Sequence, residues 1–429
     1  MAHVVASYAC EAFVWNVVNC RATCRAIDLP GRGDCCAMDE SIPPQAPHFA
    51  DALPRKLTVP TSSIRVLVID DSPLMRALIT DAINAQPGIE VCGQAEDGEK
   101  GLVLFEKLMP DVVTLDIQMP KMDGLETLTA ILAKRSVPVI MVSSLTQLGA
   151  DVTLEALDRG AIDYVAKPDG QRAADQLLRD ELIRKIRNVA GADLKKILEI
   201  RARRARMRQM RTPLSVLAPT SVAMPQTAPY LTDKLIAIGI STGGPPALAG
   251  MFMNLTTPLP PIVIVQHMPP HFTKSLASRL NGLGLIRCKE AETGDVLQPN
   301  TAYLAPGGHH LKIQKNVRGG KLLVCDGDPV SGHRPSVDVM MQSAAEVYGR
   351  RAIGVIMTGM GRDGSDGCRA IRTAGGYVLG QDEATSDVYG MNRVAFIEGN
   401  VDRQFGLDDA AEVIQSQVKK LWAPQKVGV

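Results

Sequence analysis

From Ile64 onward the chain repeats one pattern: an apolar run that closes on a polar residue, a stretch with helical spacing, then another apolar run. This is the sequence form of successive βαβ units, and it commits the chain to parallel sheets flanked by helices. Parallel strands are covered on both faces, so their runs are continuously apolar instead of alternating. Ile64-Arg-Val-Leu-Val-Ile69 predicts a first strand, and Pro73 to about Ala85 predicts a helix with Leu74, Ala77, Leu78 and Ile83 on one face. Further strands are predicted over 111–115, 137–142 and 162–165, and in a later block over 235–240, 261–266 and 353–357. Between Thr301 and Asp328 the pattern becomes short strands with Gly-rich turns.

The polar residues that close these runs carry the chemistry, because open α/β sheets bind ligands beyond the carboxyl ends of their strands. In the first block they are Asp70, Asp71, Asp116, Ser143 and Lys167. Three carboxylates at one sheet edge repel one another unless a hard divalent cation such as Mg²⁺ sits among them. The set makes sense if Asp116 accepts a phosphoryl group, with Lys167 pairing with it and the Ser143 hydroxyl bonding it. The plain structural alternative makes Asp70 and Asp71 helix N-caps.

The segments Val-Leu-Val-Ile-Asp70-Asp71-Ser, Leu-Asp116-Ile-Gln-Met-Pro, Met-Val-Ser143-Ser and Tyr-Val-Ala-Lys167-Pro resemble the receiver domain of two-component response regulators. The resemblance implies a five-stranded flavodoxin-like fold and phosphorylation of Asp116 by a histidine kinase. It also implies Mg²⁺ held by Asp71, Asp116 and the Gln118 carbonyl, with Asp70 helping through water, and an aromatic switch at Tyr164.

In the second block, Leu235-Ile-Ala-Ile-Gly-Ile-Ser241-Thr-Gly-Gly-Pro245 sets a buried strand against a small-residue turn, with Pro245 or Pro246 suited to the first turn of a helix. Taken alone, the turn is equally compatible with a catalytic serine, a phosphate-binding loop and ordinary turn chemistry. His267 follows the strand over 261–266, and Asp363 lies beyond the strand over 353–357. A serine, a histidine and a carboxylate at one sheet edge are the parts of a nucleophile, a base and its orienting partner. His309, His310 and His333 are rival bases, and Asp338, Asp366 and Asp387 rival orienters. His267 and Asp363 also have plain readings as helix caps. Gly239-Ile-Ser241-Thr-Gly243 fits the G-x-S-x-G elbow, but the order Ser, His, Asp differs from the Ser, acid, His of α/β-hydrolases and excludes that fold.

Gly-Ile-Ser241-Thr-Gly-Gly-Pro, Val-Gln-His267-Met-Pro-Pro, Ala-Pro-Gly-Gly-His, His-Arg-Pro-Ser-Val-Asp338 and Thr-Gly-Met360-Gly-Arg-Asp363-Gly together resemble the catalytic domain of the CheB family, the chemotaxis protein-glutamate methylesterases. The resemblance implies that Ser241 attacks glutamate methyl esters on the cytoplasmic helices of chemoreceptors, with glutamine deamidation as a second activity. His267 would move the serine proton and Asp363 would orient His267. Backbone N–H groups near Thr242 and Met360 are candidates for the oxyanion hole. A CheA-type histidine kinase would be the phosphodonor, the cytoplasm the location, and the esterase chemistry would need no cofactor. His271 and Asn392 depart from the family pattern, standing where a small residue and a proline are common.

The expected organisation is a poorly ordered extension (1–62), a flavodoxin-like receiver (63–181), a basic then Pro-rich linker (182–232), and a second doubly wound, mostly parallel α/β catalytic domain (233–425). Between 184 and 211 stand eleven Lys or Arg residues against Asp193 and Glu199, read as a solvated connecting helix. A net charge of +1 and the absence of a DNA-reading helix pattern speak against a nucleic-acid partner, and no apolar run is long enough for membrane insertion. Five of the nine cysteines fall in the first 36 residues without zinc spacing, and no signal peptide is expected there. Cys92, Cys288, Cys325 and Cys368 read as reduced, mostly buried thiols. Two other readings remain: a non-catalytic response regulator whose second domain is a binding module, and a nucleotide-binding domain, which would lack its GxxxxGK[ST] loop.

Overall fold

The computed structural model describes residues 63–144, 146–167, 172–190, 197, 199, 229–317 and 319–423. All of these belong to one compact unit, Pro60–Val429. The expectations for residues 1–62 and for the Pro-rich part of the linker lie outside the described residues.

The first half alternates β1 (Ile64–Ile69), α1 (Pro73–Asn84), β2 (Ile89–Ala95), α2 (Gly98–Leu108), β3 (Val112–Asp116), α3 (Gly124–Lys134), β4 (Val139–Ser143), α4 (Gln147–Arg159), β5 (Asp163–Ala166) and α5 (Arg172–Val189). Its strands form one parallel sheet in the order β2-β1-β3-β4-β5. This is the flavodoxin-like α/β fold expected. β2 is a strand the apolar-run pattern does not reveal: Ile-Glu-Val-Cys-Gly-Gln-Ala lies at the sheet edge, where only part of each face is covered. The face expected for α1 is also shifted. Ile79, Ala82 and Ile83 are buried, while Leu74 is 78% exposed because it sits in the first turn, at the sheet's carboxyl edge and off the core.

α5 runs without a break across the expected domain boundary at 181/182. Leu178, Leu182, Ile183, Ile186 and Val189 pack it onto β1, β3 and β4 through Val68, Val112 and Ile140. The described start of the basic run is therefore not a solvated connector. Lys185 has a side chain only 12% exposed and pairs with Asp163 and Glu181 at 2.9 and 2.8 Å.

The second half contains β6 (Leu235–Ile240), α6 (Gly244–Phe252), β7 (Ile262–Gln266), α7 (Phe272–Asn281), β8 (Arg287–Glu290), β9 (Thr301–Leu304), β10 (His310–Asn316), β11 (Gly319–Cys325), α8 (Val337–Tyr348), β12 (Ala352–Ile356), α9 (Ser365–Thr373), β13 (Tyr377–Gln381), α10 (Met391–Ile397), β14 (Arg403–Phe405) and α11 (Ala410–Trp422). Seven strands form a parallel sheet in the order β14-β13-β12-β6-β7-β9-β8, and β10 and β11 form a separate antiparallel hairpin. β6 lies at the centre between β12 and β7, so the residues that follow these three strands meet at one edge. The four described cysteines outside the first 36 residues are free thiols, Cys288 and Cys368 buried. Among the described residues no helix is long and apolar enough to cross a membrane.

Candidate active site

Adjacency of β1 and β3 brings Asp70, Asp71 and Asp116 together, with one ligand oxygen from each within 4.8 Å of the others. Lys167, just past β5, places Nζ 2.7 Å from Asp116 Oδ2 and 3.1 Å from Asp70 Oδ2. Burial pushes the Asp116 carboxyl up to about 6, against the pull of the Lys167 hydrogen bond and with a further push from Asp70. Asp70 is likewise raised, first by burial. Burial would lower Lys167, but the two carboxylates outweigh it and hold the amine above its ordinary value. Asp70 Oδ2 is buried, and Lys167 Nζ at 3.1 Å stands beside it. Three hard oxygens, one of them with an unused lone pair, fit Mg²⁺.

Neither aspartate after β1 caps α1; Ser72 does so, accepting from the Met75 N–H. Gln118 donates its N–H to Asp116 Oδ1 at 3.4 Å. The Ser143 hydroxyl does not reach Asp116. It accepts from Thr153 Oγ1 at 2.7 Å and donates to the Gly149 carbonyl at 3.2 Å. Tyr164 is buried, and its hydroxyl has no partner among the described residues. Burial raises that phenol well above its ordinary pKa.

At the second edge His267 Nδ1 lies 3.1 Å from Ser241 Oγ, and its Nε2 lies 2.8 Å from Asp363 Oδ2. The ring is thus presented the opposite way round from trypsin-like triads, where Nε2 meets the serine. Ser241 sits at the β6–α6 junction: its N–H donates to the Thr358 carbonyl at 2.9 Å, and its carbonyl accepts from Gln266 Nε2 at 2.9 Å. His267 does not cap a helix, because α7 starts only at Phe272. Asp363 is 1% exposed and accepts four hydrogen bonds, from His267, the Ser336 hydroxyl (2.7 Å) and the Val337 and Asp338 N–H groups (2.7 and 3.1 Å). Burial alone would raise its pKa, but the His267, Ser336 and Val337 bonds outweigh burial and hold it well below the carboxylate range.

Three of the rivals, His309, His310 and Asp366, are engaged elsewhere. His310 accepts from the Ser336 N–H at 3.3 Å and bonds the Asp328 carbonyl at 2.9 Å. His309 pairs with exposed Asp326, and Asp366 with Arg362 and Arg369. His333 stacks on His267, with ring centroids 3.7 Å apart and an interplanar angle of 7°. Burial, then the His267 and Arg184 charges, push His333 down to about 2, so it stays neutral. Gln266, Ser336 and Thr358 were not singled out from the sequence as site residues, and His333 only as a rival base; they belong to the motifs quoted, but no spacing rule separates them from their neighbours.

Residues of the first half lie against this edge. Thr242 Oγ1 donates to Asp163 Oδ2 at 2.6 Å, and Arg184 Nη1 donates to His333 Nε2 at 3.0 Å. Asn188 contacts the Met360 sulfur, and Arg279 of α7 pairs with Asp158 of α4. Tyr164 stacks on Phe272, with centroids 4.7 Å apart and planes at 17°. Among the described residues the Thr242 and Met360 N–H groups make no hydrogen bond.

Fold and site together define a receiver-type sheet joined to an α/β domain carrying a serine–histidine–aspartate constellation. Residues 66–179 match the response regulator receiver domain model, and residues 236–414 match the CheB methylesterase model. The chain is 44% identical over 357 residues to protein-glutamate methylesterase/protein-glutamine glutaminase 1 of Dechloromonas aromatica (strain RCB), covering 82% of this chain and 98% of that one. It is 42% identical over 362 residues to the corresponding protein of Pyrococcus abyssi, covering 83% and 94%. The crystal structure of the Thermotoga maritima CheB methylesterase catalytic domain is 39% identical, with a TM-score of 0.42, over 43% of this chain and 98% of that one. The chain belongs to the CheB family of protein-glutamate methylesterases/protein-glutamine glutaminases.

Proposed function

We propose that this chain is a phosphorylation-controlled hydrolase that demethylates glutamate methyl esters, and deamidates glutamines, on the cytoplasmic helices of chemoreceptors during chemotaxis adaptation. The observation that carries this reading is His267 bridging Ser241 and Asp363 at 3.1 and 2.8 Å. Ser241 Oγ attacks the ester carbonyl while His267 Nδ1 takes its proton, and Asp363 holds Nε2–H and stabilises the imidazolium. The tetrahedral oxyanion is met by the Thr242 and Met360 N–H groups, each donor worth ~3 kcal/mol. Collapse expels methanol, which takes the proton from His267. Water, deprotonated by His267, then attacks the acyl-serine, and the products are the glutamate carboxylate and free Ser241. A glutamine substrate follows the same steps with ammonia as the leaving group.

The first half acts as a gate. Asp163 on Thr242, Arg184 on His333 and Asn188 on Met360 stand where a receptor helix must approach Ser241. A CheA-type histidine kinase phosphorylates Asp116, and the population shifts to an open form. Asp70, Asp71, Asp116 and the Gln118 carbonyl would hold Mg²⁺, which supplies charge neutralisation for phosphoryl transfer. Lys167 pairs with the phosphoryl group, and Ser143 must leave Thr153 to bond it. With its substrate on receptor cytoplasmic helices, the protein works in the cytoplasm.

Methanol release from methylated receptor membranes tests the chemistry. Ser241→Ala is expected to lose at least about 10³-fold of the rate, and equal rates would sink the catalytic claim. A fragment starting near Thr232 is expected to outpace the unphosphorylated whole chain. If it does not, the gate is wrong.

A further inference from the structure

α8 and α9 exchange caps across the site. α9 begins two residues after Asp363, yet its N-cap is Gly364, at φ +95°, with no side chain to accept the orphan N–H groups of the first turn. Those of Gly364 and Gly367 donate instead to Asp338 Oδ1, at 2.9 and 2.7 Å. Asp338 is itself in the first turn of α8, and that turn caps in return onto Asp363. The Val337 N–H goes to Oδ2 at 2.7 Å, the Asp338 N–H to Oδ1 at 3.1 Å, and the Ser336 hydroxyl to Oδ1 at 2.7 Å. Asp338, in the first turn of α8, therefore caps the helix that Asp363 leads into, and Asp363 caps the helix on which Asp338 stands. The crossing demands close backbone approach, since a Cβ at Gly367 would lie 2.6 Å from Met341 Cβ and one at Gly364 would lie 2.8 Å from Val337 Cγ1. Both aspartates are buried, so neither N-terminus can turn to water for its partners.

We propose that Asp338 is a positioning residue for the esterase reaction: by capping the helix that Asp363 leads into, it fixes the Asp363 carboxylate where Oδ2 holds His267 Nε2. The inference rests on the Ser241–His267–Asp363 reading. Removing the Asp338 carboxyl leaves two N–H groups buried without an acceptor, and the loop that carries Asp363 rearranges to satisfy them. His267 then loses its fixed tautomer and orientation, although every atom of the triad remains.

Asp338 also brings a charge. The titratable groups facing it among the described residues are Asp363, Asp366 and the Cys368 thiol. Burial, then the Asp363 charge, push its carboxyl up to about 7, against the Gly367 N–H. Above that pH a second negative charge stands behind the Asp363–His267 pair and makes the imidazole more basic.

The test uses the full-length protein and a fluorophosphonate probe. Ser241 Oγ bonds to phosphorus, fluoride leaves, and His267 takes the serine proton, so the labelling rate reads triad geometry without a receptor. Rates are measured from pH about 5 to about 9. Asp338→Ala is expected to label at least about tenfold more slowly than wild type, a positioning loss. Asp338→Asn, which keeps an oxygen for the two N–H groups, is expected to recover to within about threefold at pH ~6. Its acid limb should lie at lower pH than that of wild type, a shift that a purely structural role would not produce. Wild-type rates in Asp338→Ala, or an unshifted limb in Asp338→Asn, overturn the proposal while leaving the triad intact. Should the alanine variant fail to fold, the limb of the asparagine variant decides alone. Absence of labelling at Ser241 in the wild type overturns the triad reading and this inference with it.

Discussion

Asp363 uses two oxygens to accept four hydrogen bonds, three of them from the first turn of α8 and its cap. An amide cannot replace it. In Asp363→Asn the NH₂ group must face either His267 Nε2–H and Val337 N–H or Ser336 and Asp338 N–H, setting donor against donor. The first orientation drives His267 to the tautomer with its proton on Nδ1, facing Ser241 Oγ. A loss of about 10³- to 10⁴-fold in kcat is expected with little change in KM, read from methanol release by the phosphorylated chain. At His271 the expectation concerns stability. This exposed residue holds φ +72° and ψ −36° with no cap hydrogen bond, a conformation that costs a non-glycine residue about 1–3 kcal/mol. His271→Gly removes that strain and adds about 0.5–1 kcal/mol of unfolded-state entropy. A net gain of about 1 kcal/mol should appear as a higher urea midpoint with an unchanged slope.

β5 is only four residues long, yet it connects both sites. Asp163 at its start accepts from Thr242, next to Ser241; Tyr164 stacks on Phe272 of α7; Lys167 just past its end pairs with Asp116. Lys185 of α5 locks the strand by bonding Asp163 Oδ1 at 2.9 Å and the Tyr164 carbonyl at 2.5 Å. Lys185→Met unlocks it, and the unphosphorylated chain should then release methanol several-fold faster. An unchanged basal rate would show that the lock does not hold the gate. This element also marks the limit of what sequence periodicity reveals. Central strands such as β1, β6 and β12 are covered on both faces and show as unbroken apolar runs. The edge strands β2, β8 and β14 are covered less, and Arg-Cys-Lys-Glu in β8 carries no strand signal at all. The ends of β6, β7 and β12 were legible for the same reason, so Ser241, His267 and Asp363 could be proposed together before any geometry. The Thr242–Asp163 and Arg184–His333 contacts join residues 79 and 149 positions apart, and no local pattern encodes such pairings.

At the scale of the whole molecule the two halves share apolar core. Leu154, Leu157 and Tyr164 belong to the same buried cluster as Phe272, Leu276 and Leu280, so the halves meet over packed surface as well as polar contacts. Stability of the folded chain should depend on pH through the two crossed aspartates, in opposite senses. Asp363 has a folded pKa below its unfolded value, so its contribution is present above pH ~4 and is lost as pH falls through the folded value. Asp338 has a folded pKa raised to about 7, so its contribution is complete below pH ~4 and is lost as pH rises through about 7. Between these limits, from pH ~5 to ~8, the Asp338 term makes the wild type less stable as the carboxyl ionises beside Asp363. Each unit of displacement is worth ~1.4 kcal/mol, and relaxation around a buried pair reduces the sum, so a loss on the order of 1–3 kcal/mol is expected. Asp338→Asn keeps the oxygen acceptor and cannot ionise. Urea unfolding at the two pH values should show that loss in the wild type and a smaller one in the variant, and equal losses would mean that Asp338 does not titrate in this range.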